Sequence, residues 1–231
     1  MTAPLNAEDA LAILSQHVEP GRAEGARGYH KVDRPYLGVT NPTLNELTMA
    51  WRRSLTVDQR VALAAALWDT NIFEARIAAA KLLTQARIKP DDQGAWDLLA
   101  SWRHDFDSWA IADHVCMAGQ KRLVADPTRI DEVETWTMSD HMWERRAALV
   151  ITLPWTKQNH PKPEDLKIRD RILGWAASYV DDHDWFIQKA IGWWVRDLSK
   201  HDRERAIQFI DTYGERMKPF ARREARRHLE D

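Results

Sequence analysis

The sequence has little of the residues that build covalently linked or repetitive extended folds. Its 231 residues include one cysteine, nine glycines and ten prolines, which excludes a disulfide scaffold and a collagen-like chain. No apolar run approaches the roughly 18–20 residues that span a membrane, so a bundle of transmembrane helices is excluded as well. The first 21 residues lack the basic start and apolar core of a secretory signal. We therefore expect a cytoplasmic protein in which Cys116 is a small buried hydrophobic residue.

Excess charge of one sign is also missing. The chain has 33 Lys and Arg against 35 Asp and Glu, a formal net charge of −2, which gives no global indication of a polyanionic partner. The charges are unevenly distributed, because residues 216–228 contain six Lys or Arg and one acid, Glu224. Such a run is most often a solvated helix face. In a nucleic-acid-binding protein it would instead extend the basic surface.

The sequence contains many signals that mark helix starts. Asn41 before a proline is typical of a helix start. Thr56 with Gln59, and Asn71 with Glu74, have the three-residue spacing of capping boxes. Alternating β-branched runs, the signature of strands, are almost absent, so the sequence predicts an all-α fold. We expect a first helix around residues 11–18, helices starting near 57, 72 and 90, and others over 44–53, 109–124, 128–137, 140–153, 164–180, 184–198, 203–213 and 219–229.

A short pattern recurs along the chain: an aromatic residue, a polar pair, a cation and small residues. The segment that begins at Phe73 aligns with those at Trp143 and, more loosely, Phe186, and a further unit begins at Ser108. Periods near 40 residues with two or three helices each are typical of HEAT-type α-solenoids. We predict a HEAT-like solenoid of about five or six helix pairs, one domain over residues 1–231 with a concave groove. The repeated cation is expected to project from one edge.

Twelve tryptophans require a structural explanation first, since large aromatic side chains dominate core burial. Trp109 differs from the rest because Asp113 lies four residues later, on the same helix face, with alanines between them. This spacing forms a shallow notch with a carboxylate at its base. An aspartate that caps a neighbouring helix, or pairs with a repeat arginine, would leave the same pattern. The tryptophans on apolar stripes, which we assign to the core, are Trp51, Trp68, Trp96, Trp136 and Trp175.

A second candidate segment surrounds Gly192. Glycine inside a helix costs on the order of 1 kcal/mol relative to alanine, so another helix or a ligand must approach closely there. Neighbouring helical positions are about 100° apart, so one of Trp193 and Trp194 should pack while the other faces outward. Trp193 and Arg196 share a face. This pair suits a cationic or sugar-phosphate ligand, and an intramolecular cation–π contact explains it equally well.

These segments together resemble the AlkD-type DNA alkylation repair glycosylases. The resemblance covers about residues 29–228 and rests on separated motifs in order: Tyr29-His30-Lys31 with Pro35-Tyr36-Leu37-Gly38-Val39, Trp109 with Asp113, Arg146 before two alanines, and Lys189-Ala190-Ile191-Gly192-Trp193 through Arg196. Members of that family are HEAT-like solenoids that excise positively charged N3- and N7-alkylated purines from double-stranded DNA. The resemblance therefore implies a DNA N-glycosylase. We expect no cofactor, no metal and a monomer.

The resemblance also implies roles for individual residues. Asp113 is the implied catalytic carboxylate, and Trp109 and Trp193 are implied to line the site around the lesion. The family often has an acidic residue directly after the first tryptophan, where this chain has Ala110, so the electrostatics around the carboxylate differ. The adjacent His114 has no assigned role. The residues expected at the DNA backbone are Tyr29, Lys31, Arg146, Lys189 and Arg196.

The chemistry of alkylated purines explains why one carboxylate suffices. Alkylation at N3 or N7 leaves the base cationic, and the base is then a good leaving group without protonation. A fixed carboxylate stabilises the oxocarbenium-like transition state and helps to place water. Indole faces beside it favour a cationic base by about 0.5–2 kcal/mol per contact. Cations along the groove would bind phosphates without reading the sequence.

Other functions would fit parts of the same pattern. A non-catalytic HEAT-repeat module that binds DNA or protein needs only the groove, and Asp113 would then be one more groove acid. The nine histidines and the acidic run at residues 181–184 prompt a metal hydrolase, but the His spacing of zinc hydrolases is missing and the run is typical of a helix N-terminus. A glycosidase that uses two carboxylates, Asp107 and Asp113, is not favoured either, because positions six residues apart lie about 120° apart around a helix.

Overall fold

The computed structural model describes residues 4–229, and all regular secondary structure in that range is helical. This result confirms the predicted all-α class. None of the described helices is long and apolar enough to cross a membrane. The chain divides into two units, Met1–Ala125 and Asp126–Asp231. The single domain expected over residues 1–231 stays a prediction.

Unit 1 (Met1–Ala125) is built around α5, which packs against α3, α4 and α7. Every residue of α5 except Lys81 is buried, because its alanines allow neighbouring helices to approach closely. A short 3₁₀ helix, Trp102–Asp105, precedes α7. The helices of this unit are α1 (Ala7–Ser15), α2 (Arg22–His30), α3 (Asn41–Ser54), α4 (Val57–Asp69), α5 (Phe73–Leu83), α6 (Gln93–Ser101) and α7 (Trp109–Ala125).

Unit 2 (Asp126–Asp231) is built around α11, which packs against α9, α12 and α13. The α-helices of this unit are α8 (Ile130–Trp136), α9 (Met142–Ile151), α10 (Pro163–Ser178), α11 (Trp185–Ser199), α12 (Arg203–Tyr213) and α13 (Pro219–Arg226). Short 3₁₀ helices cover Pro127–Arg129, Leu153–Lys157 and Gly214–Arg216.

The repeated sequence pattern marks helix starts. Phe73 and Trp109 are the first residues of α5 and α7, and Trp143 and Phe186 are the second residues of α9 and α11. The pattern therefore identifies one helix in each repeat, whose small residues pack into the unit. The five tryptophans assigned to the core from the sequence are all buried.

The capping predictions had mixed outcomes. The capping box of Thr56 and Gln59 is formed at the start of α4 and confirms the prediction. The box predicted for Asn71 and Glu74 is wrong. Asn71 has a left-handed φ of 57°, and the N-cap of α5 is Ile72, which has no side-chain oxygen to accept a hydrogen bond. Glu74 is engaged elsewhere, with the loop before α3.

The expectation that the repeated cation projects from one edge is wrong for two of the repeats. Arg76 is 8% exposed, lies 4.5 Å from the centroid of the Trp68 ring and donates to the Trp68 carbonyl oxygen at 3.2 Å. Arg146 is 3% exposed, 5.6 Å from the centroid of the Trp143 ring. The Arg76 guanidinium can be buried because an indole face and carbonyl oxygens replace water. Lys189, the third repeat cation, is exposed as expected.

The surroundings of Gly192 show whether another helix or a ligand approaches it closely. A Cβ at this position would lie 2.8 Å from the Ala221 carbonyl oxygen and 3.3 Å from the Ala221 Cα. The close approach is therefore made by α13, and the missing side chain allows α11 and α13 to touch through their backbones.

We expect Gly192→Ala to destabilise the protein by about 1–3 kcal/mol, because the added methyl group forces α13 away from α11. The matched control is Gly174→Ala in α10, where a Cβ would meet nothing within 4 Å. That control should raise stability by up to about 1 kcal/mol through helix propensity alone. Urea unfolding of the two variants measures both effects, and an equal response would contradict the packing role of Gly192.

Candidate active site

A group of aromatic rings in unit 1 surrounds the start of α7. Tyr29, near the end of α2, is 70% exposed, and its ring meets the Trp109 ring edge to face with centroids 6.1 Å apart. His30 lies between the two helix starts, 4.6 Å from the Phe73 ring and 5.4 Å from the Trp109 ring. Two of the predicted site residues, Tyr29 and Trp109, are thus brought together.

The predicted carboxylate lies one turn further along the same helix. Asp113 and Trp109 are both half-buried, whereas Ala110, Ile111 and Ala112 between them are buried. The indole and the carboxylate therefore reach the surface together on one stripe of α7, as the four-residue spacing predicts. His114 points into the unit, where its Nδ1 is 2.7 Å from the Ala110 carbonyl oxygen. Since a carbonyl only accepts, Nδ1 carries the proton.

Burial lowers the pKa of both histidines in this region. The pKa of His30 is lowered below its ordinary value because burial outweighs the opposite effect of Glu74. The pKa of His114 is lowered mainly by burial as well. Both rings are therefore neutral at pH 7. The neighbouring residue, His114, thus places no positive charge beside the Asp113 carboxylate.

The loop between α2 and α3 is attached to α5 by a buried carboxylate. Glu74 is 3% exposed and accepts hydrogen bonds from the backbone N–H groups of Leu37 at 2.8 Å and Gly38 at 2.7 Å. Gly38 has a φ of 88°, which a side chain would strain. Tyr36 stacks on the Phe73 ring with centroids 4.7 Å apart. The segment 35–39, part of the family resemblance, thus holds α2 and its aromatic residues beside α5.

In unit 2 the two adjacent tryptophans separate as predicted. Trp194 is buried and its indole N–H donates to Thr152 Oγ1 at 3.2 Å. Trp193 is half-buried and donates to Asp197 Oδ2 at 3.1 Å, one turn along α11. Arg196 also bonds Asp197, at 2.7 Å, and forms an ion pair with Glu224 of α13. The carboxylate of Asp197 is therefore the partner shared by the Trp193–Arg196 pair.

An aromatic cluster at the start of α11 was not anticipated from the sequence. Trp185 is 47% exposed, Phe220 stacks on it with centroids 5.5 Å apart, and Lys189 Nζ lies 4.8 Å from its centroid. Phe186 contacts the Trp143 ring at 4.6 Å. The signal available in the sequence was the i, i+4 spacing of Trp185 and Lys189.

The expected DNA-binding residues differ in their exposure. Lys31, in the left-handed conformation at the end of α2, and Lys189 are exposed, whereas Arg146 is buried and Arg196 is half-buried in ion pairs. Their roles at the DNA backbone stay predictions. So does the placement of Trp193 in one site with Asp113, since the two residues belong to different units.

The acidic run at residues 181–184 is occupied by structural contacts. Asp184 caps α11 by accepting from the Phe186 N–H at 2.7 Å, and Asp182 pairs with Arg145 at 2.9 Å. Asp181 forms an ion pair with Arg216. Within residues 4–229, no group of three or more His, Cys, Asp or Glu side chains is arranged to hold a metal ion.

Comparison with known sequences assigns the family. The profile described as DNA alkylation repair enzyme matches residues 10–229. The chain belongs to the DNA alkylation repair enzyme family. No curated protein sequence matches it significantly.

Solved structures share the fold of this family member. A predicted DNA alkylation repair enzyme from Enterococcus faecalis has a TM-score of 0.78 at 18% identity, covering 93% of this chain and 98% of its own. AlkD2 from Streptococcus mutans has a TM-score of 0.64 at 13% identity, with 98% and 100% coverage. The protein smu.31 from Streptococcus mutans UA159 has a TM-score of 0.62 at 14% identity, with 82% and 92% coverage.

We expect Glu74→Gln to lower the free energy of unfolding by about 1–3 kcal/mol, because an amide has one acceptor oxygen for two buried N–H donors. Chemical denaturation measures the loss, and the control Glu46→Gln, at an exposed position of α3, should stay within about 0.5 kcal/mol of the parent. Equal stability of the two variants would show that the loop is held by other contacts.

Proposed function

We propose that the protein is a DNA glycosylase that removes cationic N3- and N7-alkylated purines from double-stranded DNA by hydrolysing the N-glycosidic bond. The observation that carries this proposal is the stripe on α7, where the half-buried carboxylate of Asp113 lies one turn from Trp109. Exposed Tyr29 stands edge-on beside that indole. Membership of the DNA alkylation repair family supplies the substrate class.

In the proposed mechanism the charge of the alkylated base drives the reaction. The N-glycosidic bond breaks as its electron pair moves to the cationic purine, which leaves neutral. Asp113 stabilises the positive charge that develops on the sugar and orients the water that attacks C1′. Trp109 and Trp193 contact the cationic base or sugar through their ring faces. Neutral bases gain less from these contacts and leave less readily, which gives selectivity.

Phosphate contacts hold the DNA in the proposed complex. Exposed Lys31 and Lys189 can reach backbone phosphates directly. Tyr29 offers a hydroxyl on an exposed ring. We also assign Arg196, which is half-buried, and Arg146, which is 3% exposed, to the DNA backbone. We propose further that the enzyme acts in the cytoplasm as a monomer, as one domain with a concave groove, without a cofactor.

The second candidate is a HEAT-repeat module that binds DNA or protein without cleaving a base. The observation that favours it is Ala110, which stands where family members often have an acidic residue and is itself buried. In that case Asp113 would serve binding or packing. The two functions are separated by whether Asp113 is needed for base release or for affinity.

We expect Asp113→Asn to lower the release of 7-methylguanine and 3-methyladenine from methylated duplex DNA by at least about 100-fold, since the neutral amide no longer stabilises positive charge. Affinity for the same DNA should stay within a few-fold of the parent. Free base is measured by chromatography, in the presence of a chelator. The control is Asp211→Asn, which neutralises an exposed carboxylate of α12 and should keep full activity.

Three results would contradict the glycosylase proposal. Release of neither base by the parent, with DNA binding intact, would favour the non-catalytic module. Equal activity of parent and Asp113→Asn would remove this carboxylate from the mechanism. Loss of activity in chelator alone would indicate metal-dependent chemistry.

A further inference from the structure

A cavity of about 250 Å³ opens between α3, α5 and α7 of unit 1. Its lining includes cationic and polar side chains from all three helices and lacks any carboxylate. The lining residues are Asn45, Thr48, Met49, Arg52, Lys81, Thr84, His114 and Met117.

The two cations of this cavity have only uncharged partners within residues 4–229. Arg52 Nη1 donates to the carbonyl oxygens of Thr84 at 2.6 Å and Lys81 at 3.3 Å, at the end of α5. Lys81 Nζ donates to Asn45 Oδ1 at 2.5 Å. His114 adds no charge, because burial lowers its pKa. Two positive charges therefore share one cavity, and no carboxylate among the residues that the structure describes is paired with either of them.

Burial and neighbouring positive charges disfavour the charged form of both groups. The pKa of Lys81 is lowered by burial and by the nearby Arg52 charge. The pKa of Arg52 is lowered by burial and by Arg60 and Arg53. A buried charge is unfavourable unless it is paired, and a half-buried cation keeps part of this penalty. An anion in the cavity would offset the desolvation of both groups and the repulsion of Lys81 by Arg52.

A larger cavity in unit 2 shows the usual arrangement by contrast. It has a volume of about 380 Å³ and is lined by residues of α10 and α12, including Arg205. Arg205 is paired with Asp170 at 2.8 Å and with Asp202 at 3.0 Å. Its charge is thus neutralised by the protein itself, and nothing there calls for an external anion.

The cationic cavity lies along the same helices as the proposed site. His30 contacts the rings of Phe73 and Trp109, which begin α5 and α7, whereas the cavity is lined by Lys81 and Met117, eight residues after each start. The two helices therefore run side by side in the same direction. At 1.5 Å per residue the cavity is about 12 Å from the aromatic group.

We propose that the cavity between α3, α5 and α7 binds a phosphate group of the DNA backbone through Lys81 and Arg52, beside the proposed site on α7. The choice of DNA as the source of the phosphate rests on the proposed function. Lys81 contributes a point charge on a flexible stem. Arg52 is held in place by the carbonyl oxygens at the end of α5.

The test is the salt dependence of binding to undamaged duplex DNA, measured by fluorescence anisotropy for the parent and for Lys81→Met. Removing one phosphate contact should weaken binding about five- to tenfold at low salt and reduce the slope of log K against log salt by about 0.9. Lys81→Arg keeps the charge and should keep the slope. The matched control is Lys121→Met, which removes an exposed charge from α7 outside the cavity and should leave the slope within about 0.3 of the parent.

Each other outcome overturns the proposal. An unchanged slope in Lys81→Met, or equal losses in Lys81→Met and Lys121→Met, would show that the cavity holds no backbone phosphate. Saturable binding of inorganic phosphate, lost in Lys81→Met while the DNA slope is unchanged, would identify a site for free anions instead. Thermal unfolding of each variant separates loss of fold from loss of contact.

The same experiment separates this inference from the proposed function. A parent that releases no alkylated base but binds DNA with a slope that depends on Lys81 contradicts the glycosylase and supports the phosphate site. A parent that releases base while Lys81→Met keeps the full slope supports the glycosylase and contradicts the phosphate site. A parent that does not bind DNA contradicts both.

Discussion

The aromatic side of unit 1 depends on one buried carboxylate. Glu74 accepts two backbone hydrogen bonds from the loop at Leu37 and Gly38, and through that loop it fixes α2 beside α5. With α2 held there, Tyr29 and His30 contact the Trp109 ring at the start of α7. A charged acceptor is suited to this task, since hydrogen bonds to ionised groups are stronger than neutral ones. The proposed site is thus positioned by Glu74, a buried residue that does not contact DNA in the proposed complex.

Much of the fold could be predicted from local signals. The bounds of α12 agree residue for residue with the sequence prediction, because Asp202 caps its first turn and the apolar period is unbroken. The helix starts at the repeats were found because an aromatic residue and small residues recur there. Helix α2 was missed, because Gly25 and Gly28 lower the helix propensity of a nine-residue segment. That helix is stabilised by contacts with α5 and α7, which no local pattern reports.

The candidate site likewise has one part that local sequence patterns predict and another part that depends on how the helices pack. The stripe of Trp109 and Asp113 is local and follows from helix geometry, so the sequence could indicate it. The ion pair of Arg196 with Glu224 joins residues 28 positions apart, and the cavity around Lys81 combines three helices. Such pairings are set by how helices pack, and packing is decided by shape complementarity over the whole unit. Sequence reasoning could therefore name Arg196 but not its partner.

The buried repeat cations change what resemblance between chains of this kind means. Arg76 and Arg146 lie inside the helix stack against indole rings, so in these two repeats the aromatic–cation–small skeleton serves packing. A search pattern built on that skeleton would therefore select for helix packing and not for a catalytic site. The chemistry of the proposed site would instead be carried by side chains that reach the surface, such as those of Trp109 and Asp113.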